Sequence, residues 1–207
     1  MTAAGPHLFW ITSRAAGTAA LVLASASVGA GLLIGGARGE GSKRLGADAR
    51  PLHEALSLAT LVAIAVHGLA LLGDHYFHPT VLDISIPFTG AYRPFWTGIG
   101  IVAGWGLAAL GLSYFARSRI GQARWRSLHR FTAVFWVLGI FHTIGAGTDA
   151  WQFWFMLLVG APMIPAIVLL LAKLSRSGDE DSERPGSPRR ARTPPQHPDV
   201  VFSARES

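Results

Sequence analysis

Five long stretches of the 207-residue sequence contain no aspartate, glutamate, lysine or arginine. Each is at least 18 residues long, and a helix needs about 20 predominantly apolar residues to cross the hydrocarbon core of a bilayer. The net charge of +6 would also suit a nucleic-acid-binding protein, but long uncharged stretches separated by basic loops indicate a membrane protein instead. The stretches cover residues 15–37, 55–73, 94–116, 131–148 and 150–172.

These stretches predict an all-α integral membrane protein, a five-helix transmembrane bundle in residues 1–174. The expected spans cover about 10–36, 51–73, 94–116, 126–148 and 150–173. Residues 175–207 combine mixed charge with five prolines and almost no large apolar side chain, so we expect a disordered cytoplasmic tail. A cleaved signal peptide in residues 1–30 is the alternative for the first span, but the apolar run continues past its small-residue site to Gly36.

The distribution of basic residues predicts the orientation. The first–second and third–fourth connections are arginine-rich, whereas the second–third connection holds only Arg93 and the fourth–fifth holds none. Basic loops stay on the cytoplasmic side, so the N-terminus is expected outside the plasma membrane and the C-terminus inside. The basic residues of the two cytoplasmic loops are Arg38, Lys43, Arg44 and Arg50, and Arg117, Arg119, Arg124, Arg126 and Arg130.

Four of the eight histidines form two matched pairs on alternate spans. His53 and His67 are 14 residues apart on the second span, and His129 and His142 are 13 residues apart on the fourth. Because these two spans run parallel, His53 and His129 share the cytoplasmic level while His67 and His142 share the outer level. At about 1.5 Å per residue the two levels lie about 20 Å apart.

This arrangement suits two haems, one near each leaflet. Six-coordinate haem iron takes an axial ligand on each face, and imidazole is a common one. The chain has no cysteine, which excludes covalent c-type attachment, thiolate zinc sites and cysteine-ligated iron–sulfur clusters. We therefore expect two non-covalent b-type haems, with iron bound by His53 and His129 at the inner level and by His67 and His142 at the outer level.

The thirteen-residue spacing on the fourth span does not place His129 and His142 on one face of a regular helix. At about 100° per residue, a spacing of thirteen leaves the two side chains of the fourth span roughly 140° apart. That span must overwind locally, cross at an angle, or bind its two haems from different sides.

Three arginines are candidate partners for the haem propionates. Arg126 and Arg130 flank His129 at the inner level, although both also fit the positive-inside rule. Arg14 lies in the first span on the outer side, where that rule favours no charge, and an outer propionate would explain its position.

The sequence offers no nucleotide-binding domain. Residues 98–103 and 145–150 match the loose GxGxxA pattern, but neither follows a strand in a βαβ unit. We therefore expect no flavin or nicotinamide on this chain and no nucleic-acid partner. Electrons must come from a separate flavoprotein or a membrane quinol.

The histidine pattern resembles the ferric reductase-like transmembrane domain found in ferric reductases and NADPH oxidases, which is related to the haem subunit of bacterial methionine sulfoxide reductase systems. The resemblance covers roughly residues 8–173 and includes Ser13-Arg14-Ala-Ala-Gly17, Trp125-Arg126-Ser-Leu-His129-Arg130 and Phe141-His142-Thr143. It implies that His53 and His129 ligate the inner haem and His67 and His142 the outer one. Larger members have six spans and a cytoplasmic flavin–nicotinamide domain, whereas this chain is expected to have five spans and none.

The leading hypothesis is a membrane cytochrome b that conducts electrons from a cytoplasmic or quinol donor to an outer acceptor. Ferric chelates, oxygen or an outer reductase are the candidate acceptors. The alternative is a metal or ion transporter without haem, whose histidines line a polar path with His75 and His78 at its mouth. A scaffold working through its tail is a third hypothesis.

Overall fold

The described residues of the protein are mainly helical. The computed structural model describes residues 5–36, 40–74 and 78–182, and side chains within 7–36, 49–74 and 78–176. No strand occurs in these ranges. A 3₁₀ turn, Ser113–Ala116, follows the fourth of eight helices: α1 (Gly5–Gly36), α2 (Glu40–Leu71), α3 (Val81–Ser85), α4 (Pro94–Leu112), α5 (Arg117–Ile120), α6 (Gln122–His129), α7 (Thr132–Ala146) and α8 (Phe153–Ser182).

Four helical segments of the described chain are long and apolar enough to cross a membrane. Many large apolar side chains on them are exposed, and Phe153 is about three-quarters exposed. A protein that buried its apolar surface only against itself would not leave so much of it uncovered, so the helices are compatible with a membrane protein. The four segments are His7–Gly36, Ala49–Leu71, Pro94–Ile120 and Phe153–Arg176.

The predicted fourth span, residues 126–148, is not one continuous helix. It is divided into α6 and α7 at Arg130 and Phe131. Helix α7 has 15 residues and is about 22 Å long, which is shorter than a hydrocarbon core of about 30 Å. The count of five spans is therefore not confirmed.

The junction between α6 and α7 is tightly wound. The Phe131, Ala133 and Val134 amides donate to carbonyls three residues earlier, at 3.0, 3.3 and 3.0 Å. Such bonds turn the chain by about 120° per residue instead of about 100°. Of the three ways to reconcile the thirteen-residue histidine spacing, local overwinding is present at this junction.

The last helix differs from its predicted bounds. Helix α8 begins at Phe153 instead of residue 150 and continues to Ser182. Residues 175–182 are thus helical, where a disordered tail was expected. The rest of the predicted tail, 183–207, lies outside the described residues.

Helix α1 is the centre of the packing, against α2, α7 and α8, while α4 packs on α7. Trp136 of α7 is 1% exposed, and its indole N–H donates to Ser25 Oγ on α1 at 3.0 Å. The Ser25 hydroxyl in turn donates to the Leu21 carbonyl at 2.7 Å, so the buried polar groups of this contact are paired. The core comprises Leu21, Ala24, Trp136, Phe155, Val159 and Ala166.

Candidate functional site

The four predicted histidines meet in the two predicted pairs. The ring centres of His53 and His129 are 6.0 Å apart with an interplanar angle of 87°. Those of His67 and His142 are 6.3 Å apart with an angle of 69°. All four side chains are half-buried. We call these pairs the His53 level and the His67 level.

The His53 level joins α2 to α6 and the His67 level joins α2 to α7, and α2 hardly touches either of these helices. Within the described residues, α2 and α7 share almost no close backbone contact, because α2 packs on α1 while α7 packs on α4 and α1. The histidines of α2 therefore face those of α6 and α7 across a separation between the helices.

His67 is held by Ser13 of α1. Its Nδ1 donates to the Ser13 carbonyl at 2.8 Å and lies 3.0 Å from the Ser13 hydroxyl oxygen. The same hydroxyl donates to the His67 carbonyl at 3.0 Å. A ring nitrogen that faces a carbonyl must carry its proton, so the Nδ1–H tautomer is selected.

His53 is held in the same way by Ser27 of α1. Its Nδ1 donates to the Ser27 carbonyl at 2.8 Å and lies 3.1 Å from the Ser27 hydroxyl oxygen. Ser57 donates to the His53 carbonyl at 2.7 Å, so the Ser27 hydroxyl donates to Ser57 Oγ, 2.8 Å away. The donor directions of this network are therefore fixed, and they leave Nδ1 of His53 protonated.

His142 finds its acceptor on α4. Its Nδ1 donates to the Trp96 carbonyl at 2.9 Å. The Trp96 indole lies against Gly145, where a Cβ atom would overlap it. The glycine on α7 thus lets α4 come close enough for its carbonyl to reach the imidazole.

His129 is positioned differently from the other three. Its ring stacks on Trp125, with centres 5.0 Å apart and an interplanar angle of 24°. Its buried Nδ1 has no hydrogen bond of standard geometry, and the Leu110 backbone is the group with which it interacts. An aromatic face takes the place of the carbonyl in orienting this ring.

These contacts leave Nε2 as the nitrogen available to a ligand. A carbonyl that accepts from Nδ1–H fixes the tautomer and makes the imidazole a better metal ligand, which is how metal-bound histidines are ordinarily supported. Three of the four rings have that support.

The ring spacing fits two imidazoles on opposite sides of one metal ion. Imidazole nitrogen binds a first-row metal at about 2.0–2.1 Å, and each nitrogen lies about 1.1 Å from the centre of a ring with bonds of about 1.33 Å. Two such rings in line have centres about 6.3 Å apart. Direct edge-to-face contacts between rings cover a similar range of about 4.5–7 Å, so the spacing fits both a shared metal ion and a direct ring contact.

The candidate propionate partners lie apart from one another. Arg14 forms an ion pair with Asp149, Nη2 to Oδ2, and its guanidinium carbon lies 4.0 Å above the Trp10 ring. Its charge therefore has an internal partner. Arg126 and Arg130 are exposed on either side of His129.

The loop proposed as a transporter mouth is only partly described. His78 is exposed in the connection between α2 and α3, and His75 lies outside the described residues. Among the side chains that the structure describes, no three histidine or acidic residues converge as a metal-binding group.

Comparison of the chain with protein-family models, with curated proteins and with solved structures gives no match.

Sequence reasoning missed the groups that hold the imidazoles, namely Ser13, Ser27 and Trp96. A signal for two of them was present, because Ser13 and Ser27 are 14 residues apart, as are His53 and His67. In an antiparallel pair of helices, equal spacings bring both residues of one helix beside both residues of the other. Nothing in the sequence marked the Trp96 carbonyl.

Proposed function

We propose that this protein is a membrane-embedded di-haem cytochrome b of the ferric reductase-like type, which passes electrons across the bilayer. The observation that carries the proposal is the pair of histidine levels. Each level joins two helices that hardly touch, at the ring spacing of two ligands on one metal ion.

The residues present suit haem better than a closed metal site. Each level supplies two imidazoles, as bis-histidine haem iron requires. A structural zinc site would need four protein ligands and a catalytic one three. Apolar and aromatic side chains dominate the helices around the levels, as an apolar macrocycle requires.

The chain's own residues would hold and orient the cofactor. His53 and His129 would ligate one haem and His67 and His142 the other, each through Nε2, while Ser27, Ser13 and the Trp96 carbonyl hold the far side of three rings. When bound, each haem would carry one electron at a time through its iron. His53 and His67 are fourteen positions apart, which places the levels about 21 Å apart along α2, a separation that spans most of a hydrocarbon core.

The direction of transfer follows from the proposed orientation, with the His53 level on the cytoplasmic side. The arginines of α5 and α6 lie beside this level, as expected of a cytoplasmic face. A separate flavoprotein or a membrane quinol would reduce the haem there. An outer reductase or a ferric complex would accept electrons at the His67 level.

The test is electron transfer across a sealed membrane. Proteoliposomes that contain trapped dithionite and external ferricyanide should reduce the ferricyanide at a rate well above that of empty vesicles. His53→Ala and His67→Ala should each reduce that rate at least tenfold, because each removes one of two haems in series.

His78→Ala is the matched control, since His78 is an exposed histidine of a connection, and it should keep the wild-type rate. A colourless wild-type protein with no transfer, or one that moves divalent metal ions without haem, would contradict the proposal and favour the transporter.

A further inference from the structure

Helix α1 carries the same short pattern twice, fourteen residues apart. Ser13 is followed four residues later by Gly17, and Ser27 four residues later by Gly31. Residues four apart lie on one face of a helix, about one turn from each other. Both patterns face α2, because Ser13 contacts His67 and Ser27 contacts His53.

Each glycine lies directly under the imidazole that its serine holds. A Cβ atom at Gly17 would be 2.9 Å from Nδ1 and 3.1 Å from Cε1 of His67. At Gly31 it would be 3.1 Å from Cε1 and 3.4 Å from Nδ1 of His53. In both cases the three nearest atoms all belong to the histidine ring. Each glycine therefore makes room for the imidazole ring and not for close packing of two helix backbones.

Helix α4 repeats the arrangement for a third histidine. The Trp96 carbonyl accepts from His142, and Gly100 lies four residues later. A Cβ atom at Gly100 would overlap the His142 ring. Three of the four imidazoles are therefore supported by a backbone carbonyl together with a glycine four residues later in the same helix.

We propose that Ser13–Gly17 and Ser27–Gly31 are two positioning units, each of which sets the place and tautomer of one axial ligand. This inference rests on the proposed haem function. Within each unit the serine carbonyl and hydroxyl hold Nδ1–H, and the glycine lets the ring lie close to α1. The ring's other nitrogen, Nε2, is then left to bind the haem iron.

The two units act on different levels, and the test uses this separation. In Gly17→Ala the new methyl group displaces His67, so the haem content should fall from two to one per chain, and the lost haem should be the one lost in His67→Ala. At Gly31 the ring has to move less, so Gly31→Ala should change the resonance signal of the haem that His53→Ala loses and leave the other signal unchanged. Haem is counted by the pyridine haemochrome assay, and the two haems are told apart by their low-spin electron paramagnetic resonance signals.

Two glycines serve as matched controls. Gly68 is next to His67 on α2, and a Cβ atom there would have nothing within 4 Å. Gly29 lies on α1 between Ser27 and Gly31 but on another face of the helix, and its Cβ atom would meet only the Ala166 methyl at 3.8 Å. Gly68→Ala and Gly29→Ala should keep both haems.

A milder substitution separates positioning from folding. Ser13→Ala removes one acceptor of Nδ1–H but leaves the carbonyl, so both haems should remain. The midpoint potential of the His67-level haem alone should rise, because its imidazole donates less charge to the iron. Ser13→Thr keeps a hydroxyl and should restore the wild-type potential.

The inference is overturned if Gly17→Ala and Gly31→Ala keep both haems with unchanged signals, or if Ser13→Ala shifts neither potential or both equally. In those results the wild-type protein still holds two haems and the proposed function stands. A wild-type protein without haem would instead overturn the function and the inference together.

Discussion

At the residue scale, the site depends on which ring nitrogen faces the protein. A histidine in an apolar helix satisfies one nitrogen at a backbone carbonyl, and the other nitrogen then needs a partner too. Three imidazoles here present Nδ1 to carbonyls of α1 or α4. Each of these rings therefore has one nitrogen committed to the protein and one directed elsewhere.

The pairing of the histidines predicts which substitutions behave alike. His67→Ala and His142→Ala should both remove the same haem, because each takes one of its two ligands, and His53→Ala and His129→Ala should both remove the other. Electron paramagnetic resonance of the four purified variants checks this. A pattern in which His53→Ala and His67→Ala remove the same haem would contradict the assignment of levels.

At the scale of helices, α1 organises the bundle. It supplies both serines, contributes to the core around Trp136, and carries Arg14, which pairs with Asp149 in the connection between α7 and α8. The ion pair ties the N-terminal part of α1 to a segment far along the chain. The Arg14 and Asp149 side chains are 32% and 18% exposed, so solvent screens the pair only partly.

Asp149→Asn should lower the midpoint of thermal unfolding in detergent by a few degrees, since leaving a half-buried charge without its partner costs about 1–3 kcal/mol. The double variant Arg14→Gln/Asp149→Asn should lose less than the sum of the two single variants. If Asp149→Asn is neutral while Arg14→Gln shifts the potential of the His67-level haem, Arg14 serves a propionate instead.

The apolar spans and the histidine pairs could be predicted from the sequence because both follow from periodicity and length. The break at Arg130 and Phe131 could not be, since no proline or glycine marks it and local hydrogen bonds decide it. The Arg14–Asp149 pair joins residues 135 positions apart, a contact that only the tertiary packing determines. The serine acceptors could be predicted only in part. The equal spacing of Ser13 and Ser27 is visible in the sequence, but the histidines that they contact are not.

At the scale of the whole molecule, the described residues combine four long apolar segments with two levels of paired imidazoles. The helices that carry the pairs are held apart by their packing on α1 and α4. In three of the four rings Nδ1 donates to a backbone carbonyl, which leaves Nε2 for a ligand. A haem at each level would use these nitrogens.

The most direct measurement is the haem content of the purified wild-type protein. We expect two non-covalent b-type haems per chain, extractable with acidified acetone, with the spectrum of low-spin bis-histidine iron. A protein that folds and purifies as a single species but holds no haem, or only one haem per chain, would contradict it.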